Sequence, residues 1–131
     1  MVRNEENGLF IKFPLDQVYV EAIQNWKNDL ADKRQSMSLR EILEREIIKL
    51  EKTQGIISAL KIDQAPRILD APTNSARIPV RLKNQAVIES ITTAAKLSNR
   101  SISKVLYTLV RIIIDNSQFA PFQHDQDEKT G

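Results

Sequence analysis

Two arginines near the middle of the chain stand at a spacing that suits binding chemistry. In the segment ARIPVRL, Arg77, Pro79 and Arg81 alternate with apolar residues. Alternation of period two predicts a β-strand with one buried face and one open face. The arginines would lie on the open face, where each guanidinium can donate several hydrogen bonds to an acceptor-rich partner. A strand also needs a partner strand, and no second strand-like run follows within hairpin distance.

Charge is distributed unevenly along the chain, although the formal net charge is only +2. Residues 1–54 carry nine basic and ten acidic side chains, and residues 55–114 carry nine basic and three acidic ones. Residues 115–131 carry one basic and four acidic side chains. A basic block of this size suggests a polyanionic partner, although solvated surface charge alone would give the same composition.

Composition argues against catalysis and against a cofactor or metal site. The chain has no cysteine, which removes disulfides, thiolate ligands and cysteine nucleophiles. It has three glycines and no glycine-rich phosphate loop, and His124 stands alone in a polar segment. Acidic residues alternate with basic ones in a pattern typical of a salt-bridged helix face, at Glu41, Glu44, Glu46 and Glu51. We therefore expect a protein that is not an enzyme and binds no cofactor.

Hydropathy gives no reason to expect a membrane protein. No run of 18 apolar residues occurs, and the first residues, MVRNEENGLF, are too polar for a signal peptide. We expect a cytoplasmic protein of one ordinary domain or two very small ones.

Residues 76–114 predict a strand, a helix, a turn and a second helix. Residues 84–98 place apolar side chains at helical spacing. Asn99 tolerates left-handed backbone, and Ser101 or Ser103 can cap a new helix. That second helix carries apolar residues off its main stripe, which predicts burial on more than one side.

Residues 8–52 repeat this design and supply the missing strand. Overlaying the two strands at an offset of 69 places Ile11 on Val80. Toward the second helix the offset shrinks to between 63 and 67, so the first copy is longer between its helices. The predicted apolar stripe of its first helix consists of Val18, Tyr19, Ala22, Ile23 and Trp26.

The remaining segments predict connections. Residues 53–75 contain a glycine and two prolines and predict a linker or meandering connection. We expect a flexible start at residues 1–7 and a polar, flexible tail at residues 115–131. Within the tail, Phe119 and Phe122 could dock on the core, and nothing in the sequence decides this.

The strand IPVRLK, the helix stripe VIESITTAA, the turn NRSIS and the aliphatic second helix together resemble a ribbon-helix-helix protein of the Arc/MetJ type. The turn resembles the family's Gly-x-Ser-x-Ser, with Asn99 where glycine is usual. The resemblance covers residues 76–114 well and residues 8–52 more loosely. Departures are Lys83, where a proline often follows the strand, and the longer first turn KRQSMS, which lacks glycine.

The resemblance implies a mostly α fold with a two-stranded antiparallel β-ribbon, in which two tandem units form an intramolecular pseudo-dimer. One strand with two short helices has an unpaired edge and too little core to stand alone. The partner strand is therefore predicted to be LFIKF. Since proline lacks an N–H, Pro79 must take an outward-pointing site. The paired amides would then be those of Ile78, Val80 and Leu82, opposite Leu9, Ile11 and Phe13.

The resemblance also implies which residues contact DNA. The base-contacting residues of the ribbon would be Arg77, Pro79 and Arg81 from one strand and Phe10 and Lys12, with Gly8, from the other. The second-helix N-termini would contact phosphates through their free amides and dipole. These positions are Arg100, Ser101, Ile102, Ser103 and Lys104 in one copy and Ser36 and Ser38 in the other. The serines would equally serve as helix caps alone.

We therefore expect sequence-specific binding of double-stranded DNA, most simply by a transcriptional repressor or regulator. One alternative is an accessory protein of a conjugative relaxosome or of plasmid maintenance, with a relaxase or other protein as partner. Others are an antitoxin or protein-interaction module, and a helical bundle whose apparent strands are loops. Self-association along DNA is compatible with these roles, because a single ribbon covers only a few base pairs.

Overall fold

The computed structural model describes residues 8–62, 68–70 and 75–121. The elements, in chain order, are β1 (Leu9–Leu15), α1 (Gln17–Asp32), α2 (Leu39–Thr53), α3 (Ile56–Ala59), β2 (Ala76–Leu82), α4 (Gln85–Ser98) and α5 (Ile102–Asp115). The fold is mostly helical, with one two-stranded antiparallel sheet among the described residues. The order strand, helix, turn, helix is confirmed for both copies, whereas α3 was not predicted.

The two strands pair with each other in the predicted register. Ile11 lies opposite Val80, with Leu9 opposite Leu82 and Phe13 opposite Ile78. The strand partner predicted from the repeat is therefore confirmed. The interpretation of these segments as loops in a helical bundle is wrong, because they form a continuous antiparallel ladder.

Proline placement explains this register. Pro79 lies opposite Lys12, and Pro14 lies opposite Arg77, so both prolines fall in the same alternate set of pairs. The backbone N–H of Arg81, which belongs to this set, is donated to the Glu44 carboxylate of α2 and not to β1. The amides of this set therefore point away from the partner strand, where a residue without an N–H loses no ladder bond.

The apolar face of the ribbon packs on the helices in one core. Phe13, Val80 and Leu82 are buried there. All six residues from Val105 to Val110 in α5 are also buried, which confirms the prediction that this helix is covered on more than one side. Val18 is a correction: it was predicted in the apolar stripe of α1 but is 43% exposed. It lies about 100° around the helix axis from Tyr19, which is far enough to face solvent.

The halves exchange contacts across the ribbon. The helix α2 packs against β2, and α5 packs against β1. In the same crossed manner α1 contacts α5 and α4 contacts α2, while α2 and α5 contact each other. Each half therefore completes its burial on the other half.

The first helix of each half ends in the same way. Arg34 and Asn99 both have left-handed backbone, with φ of 60° and 59°. The next amide in each case bonds back to a carbonyl five residues earlier, Gln35 to Leu30 at 2.8 Å and Arg100 to Ala95 at 3.0 Å. This is the Schellman arrangement, which normally places glycine at the left-handed position.

Helix caps establish the register that the sequence left open. Ser38 and Ser101 are the N-caps of α2 and α5, and each side chain accepts the amide three residues later. The second helices thus correspond at an offset of 63. Because the left-handed residues correspond at 65, the first connection is two residues longer.

Part of the predicted linker is folded into the core. Ile56, Leu60 and Ile62 are buried, and Gly55 turns the chain into α3 with a φ of 93°. Beyond α5, Phe119 stacks on Trp26 with ring centroids 5.3 Å apart. The predicted flexible start, Phe122 and His124 lie outside the described residues. No helix in the described ranges is both long and apolar enough to cross a lipid bilayer.

Candidate nucleic-acid interface

The ribbon presents the five predicted base-contacting residues on one face. Phe10, Lys12, Arg77 and Arg81 are exposed, and Pro79 is partly exposed. Successive side chains of a strand point to opposite faces, so these residues lie together opposite the buried apolar row. Neither strand contains an acidic residue. The open face of the ribbon therefore carries three cations and no carboxylate of its own.

Gly8 does not belong to this exposed row. It is buried, precedes β1 and has a φ of 82°. A Cβ at this position would lie 2.5 Å from the Leu82 carbonyl oxygen. Glycine is needed here because the backbones approach closely at the end of the ribbon.

Arg81 and Phe10 face each other across the ribbon. They form one of the pairs whose amides point outward, where side chains lie closest. The Arg81 Cζ lies 5.5 Å from the centroid of the Phe10 ring. A cation over an aromatic face is attracted to the ring, while the guanidinium N–H groups lie in its own plane and can serve other acceptors. This contact can orient Arg81 without using up its hydrogen-bond donors.

Glu44 is a contact of the ribbon that the sequence did not reveal. Its carboxylate accepts the Arg81 amide and lies 3.7 Å from the Arg40 Nε. The spacing of charges predicted a solvent-facing salt bridge, and Glu44 does pair with Arg40 one turn earlier. The additional contact depends on α2 packing against β2, which no local pattern indicates.

The N-terminus of α5 combines free amides with two cations. The Ser101 hydroxyl accepts the Lys104 amide at 3.1 Å, which confirms Ser101 as the cap and leaves Ser103 inside the first turn. The amides of the first helical turn have no partner within a helix. The Ile102 side chain packs on the core, so this residue can offer only its backbone outward.

Both cations at this end are already paired with an acid from the connection. The Asp70 carboxylate lies 3.2 Å from the Lys104 Nζ and 3.5 Å from the Arg100 Nη1. No sequence pattern indicates this position for Asp70, which stands within a segment predicted only as a linker.

The N-terminus of α2 is built differently. Ser38 and Glu41 form a capping box, in which the Ser38 amide donates to Glu41 Oε1 at 2.9 Å and the Glu41 amide donates to Ser38 Oγ at 3.1 Å. Ser36 is exposed in the preceding connection. A carboxylate in the first turn satisfies the helix dipole and repels a phosphate, so this end is less suited to bind one.

A part-buried polar network ties the junction of β1 and α1 to α5. The Tyr107 hydroxyl donates to Asp16 at 2.6 Å, and the Tyr19 hydroxyl donates to Asp115 at 2.9 Å. The Arg111 guanidinium donates to both hydroxyls, at 3.3 Å to Tyr107 and 3.0 Å to Tyr19. Burial, together with the hydrogen bond to Asp115, raises the pKa of Tyr19 to about 12. Burial raises the pKa of Tyr107 as well, helped by Asp16.

This network was not predicted from the sequence. The signal that could have indicated it is Tyr107 and Arg111, two polar residues one turn apart in a mostly apolar helix. The network holds the point where β1 ends against the helix that packs on it.

Comparison with known proteins finds no matching family model, no matching curated protein and no matching solved structure. Among the described residues, no group of three or more histidine, cysteine or acidic side chains is arranged to hold a metal ion.

Proposed function

We propose that the chain is a tandem ribbon-helix-helix protein whose two halves form an intramolecular pseudo-dimer. The crossed packing of α2 on β2 and of α5 on β1 supports this, because these two contacts are equivalent, as are those of α1 with α5 and of α4 with α2. The strand register supports it independently. A two-fold axis through a ribbon requires equivalent residues to face each other at its centre, and the offset of 69 makes Ile11 and Val80 equivalent. They are directly opposite.

The protein binds double-stranded DNA by inserting the ribbon into the major groove and acts as a transcriptional regulator. The observation that carries this proposal is the exposed row of Lys12, Arg77 and Arg81 on a ribbon without acidic residues. A two-stranded ribbon fits the major groove, where all four base pairs present different edges. Arginine can bond both acceptors of a guanine edge, which contributes about 1–3 kcal/mol of discrimination.

Phosphate contacts at the helix N-termini would set the position of the ribbon on the duplex. The end of α5 is the stronger candidate, since Arg100 and Lys104 flank its free amides. The end of α2 is the weaker one because of Glu41. With two different strands and two different clamps, the preferred DNA site is asymmetric. A repressor and a relaxosome accessory factor would share this interface and differ in where that site lies.

Selection of binding sites from random duplex DNA tests this proposal, with purified protein at two salt concentrations to separate phosphate attraction from base recognition. We expect a short asymmetric consensus. The Arg81→Ala variant should lose about 1–3 kcal/mol of discrimination, roughly 5- to 150-fold, between the consensus and a site changed at one guanine. Competition binding measured by fluorescence anisotropy gives this ratio.

Two controls separate recognition from charge. Arg81→Lys keeps the charge but cannot make the bidentate contact, so it should also lose discrimination while retaining more affinity. Arg45→Ala removes an equal charge from a side chain paired with Glu46, away from the ribbon, and should leave discrimination intact. Equal binding of all sequences by the unaltered protein would overturn the proposal, and a perfect inverted repeat would contradict the asymmetry.

A further inference from the structure

Three consecutive residues of the connection are fixed along α5, each by a different interaction. The Ile68 side chain packs against the core. The Leu69 amide donates to the Thr108 hydroxyl at 2.9 Å, and Thr108 is buried. Asp70 then pairs with Lys104, one turn closer to the helix N-terminus, and with Arg100, which immediately precedes the Ser101 cap. The position of Asp70 is therefore set by its neighbours and not by its own ion pairs alone.

The two cations held by Asp70 are those that the proposed function assigns to a DNA phosphate. Carboxylate and phosphate are both oxyanions and compete for the same lysine and arginine donors. We propose that Asp70 is a built-in competitor of DNA, an autoinhibitory contact that a phosphate displaces when the ribbon enters the groove. This inference rests on the proposed function.

The contact is suited to exchange. The Asp70 side chain is 77% exposed, and those of Arg100 and Lys104 are 45% and 38% exposed. Ion pairs in contact with water are weak, so a phosphate held in place by the rest of the interface can replace the carboxylate. An isolated phosphate without those additional contacts gains less from the exchange. The competitor therefore lowers binding to DNA generally and is overcome when the whole interface engages.

The other helix N-terminus lacks such a device. Glu41 lies in the helix that it caps, and its carboxylate is bonded to the Ser38 amide. Displacing it would break the half of the capping box that satisfies the Ser38 amide, leaving only the bond from the Glu41 amide to the Ser38 hydroxyl. Asp70 belongs to a separate segment, so its withdrawal leaves the Ser101 cap of α5 in place. Of these two helix N-termini, only that of α5 can exchange its carboxylate for a DNA phosphate without losing a capping hydrogen bond.

The experiment compares Asp70→Asn with the unaltered full chain on its selected duplex, by fluorescence anisotropy over a series of salt concentrations. We expect Asp70→Asn to bind about 3- to 10-fold more tightly at low salt, with the gain falling as salt rises. The slope of log affinity against log salt should become steeper by up to about one, since no carboxylate needs a counterion after displacement.

A matched control is Glu89→Gln, which makes the same change in charge elsewhere. Glu89 lies in α4, where its carboxylate accepts from the Gln85 side chain, and its neighbour Ser90 contacts Glu51 near the C-terminal end of α2. We expect this variant to change affinity less than 2-fold. Lys104→Ala, made in the unaltered chain and in Asp70→Asn, completes a double-mutant cycle. It should cost more affinity in Asp70→Asn, where Lys104 is free to bind DNA.

The outcomes separate this inference from the function on which it rests. If the unaltered protein selects no duplex sequence, the proposed function fails and the inference fails with it. Should the protein bind its site while Asp70→Asn behaves like Glu89→Gln, DNA binding stands and the autoinhibitory contact is overturned. An equal effect of Lys104→Ala in both backgrounds also overturns it, because the gain would then be a general effect of charge.

Discussion

The two halves of the chain cap their second helices with the same residue type and then diverge three residues later. Ser38 is followed by Glu41, whose carboxylate closes a capping box, whereas Ser101 is followed by Lys104. An acid in the first turn stabilises a helix, and a lysine there opposes the helix dipole. The first half therefore favours local stability at this position. The second keeps a positive end whose acid comes from elsewhere in the chain.

The contact between each second helix and the strand of the other half also differs in chemistry between the two halves. The N-caps Asp16 and Asn84 correspond, and the same offset matches Tyr19 to Val87. The offset of 63 between the second helices matches Tyr107 to Glu44 and Arg111 to Ile48. Asp16, Tyr19, Tyr107 and Arg111 belong to the polar network described above. The four residues that correspond to them line a cavity of about 200 Å³. Matching backbone arrangements are thus held by a phenol–guanidinium network on one side and by a carboxylate bonded to a strand amide on the other. The two halves therefore share packing directions and differ in the chemistry of the contact.

The largest expected effect is at Gly8, which corresponds to Arg77 when the two strands are overlaid. Gly8→Ala should lower the free energy of unfolding by about 2–4 kcal/mol, because the added Cβ meets the Leu82 carbonyl and the positive φ disfavours any side chain. Urea denaturation followed by circular dichroism measures the loss.

Gly55→Ala is the matched control for this substitution. Gly55 also has a positive φ, but its nearest neighbour to a Cβ would be Ser58 at 3.9 Å. It should cost only the backbone term, about 1–2 kcal/mol. Equal losses for the two variants would show that close approach at the ribbon end is unimportant.

The next effect concerns the polar network. Tyr107→Phe removes the donor to Asp16 and an acceptor of Arg111, leaving two charged groups with fewer partners in a part-buried site. We expect a loss of about 1–3 kcal/mol in the free energy of unfolding, measured by urea denaturation at neutral pH. Glu44→Gln changes the corresponding position of the other half, where the partly exposed side chain still accepts the strand amide. It should cost less than Tyr107→Phe, and the reverse order would contradict the idea that the network is the stronger clamp.

The pH dependence of unfolding gives an independent check on the same residues. The pKa values of Tyr19 and Tyr107 are raised in the folded chain, to about 12 for Tyr19. Above pH 10 the unfolded chain therefore loses these protons first, and stability falls as pH rises, up to about pH 12 for the contribution of Tyr19. Below pH 10 this contribution is fully present. Tyr19→Phe should flatten the alkaline fall relative to the unaltered protein.

Local chemistry made the ribbon and the turns predictable from sequence. Pro79 has no N–H to donate, so the alternation of paired and outward amides determined which residues face β1. Asn99 was predicted at a turn, and Ser101 or Ser103 at a cap, because their side chains suit left-handed backbone and free amides. These predictions needed no knowledge of the other half beyond the existence of a second strand.

The contacts that the sequence missed depend on docking between distant segments. Asp70 reaches Arg100 and Lys104 only because Ile68 and Leu69 are held along α5. Glu44 reaches Arg81 only because α2 crosses to the other half's strand. Gly8 was predicted on the exposed face by parity, although its backbone conformation removes it from the strand. Residue spacing specifies faces and periods, but not which remote surfaces meet.

The smallest expected effect compares the two turns. Arg34 and Asn99 both adopt left-handed backbone at the end of a first helix, but asparagine tolerates it far better than arginine. Arg34→Gly should therefore be more stable than Arg34→Ala by about 1 kcal/mol, since both variants remove the same charge and differ in the Cβ that opposes this conformation. Asn99→Gly and Asn99→Ala should differ in stability by a similar amount. The unaltered protein should be closer in stability to Asn99→Gly than to Arg34→Gly. Thermal unfolding of the unaltered protein and the four variants at one salt concentration measures these differences. If Arg34→Gly and Arg34→Ala were equally stable, the left-handed residue would not limit the stability of the longer turn, and the difference between the halves would lie in the length of the connection alone.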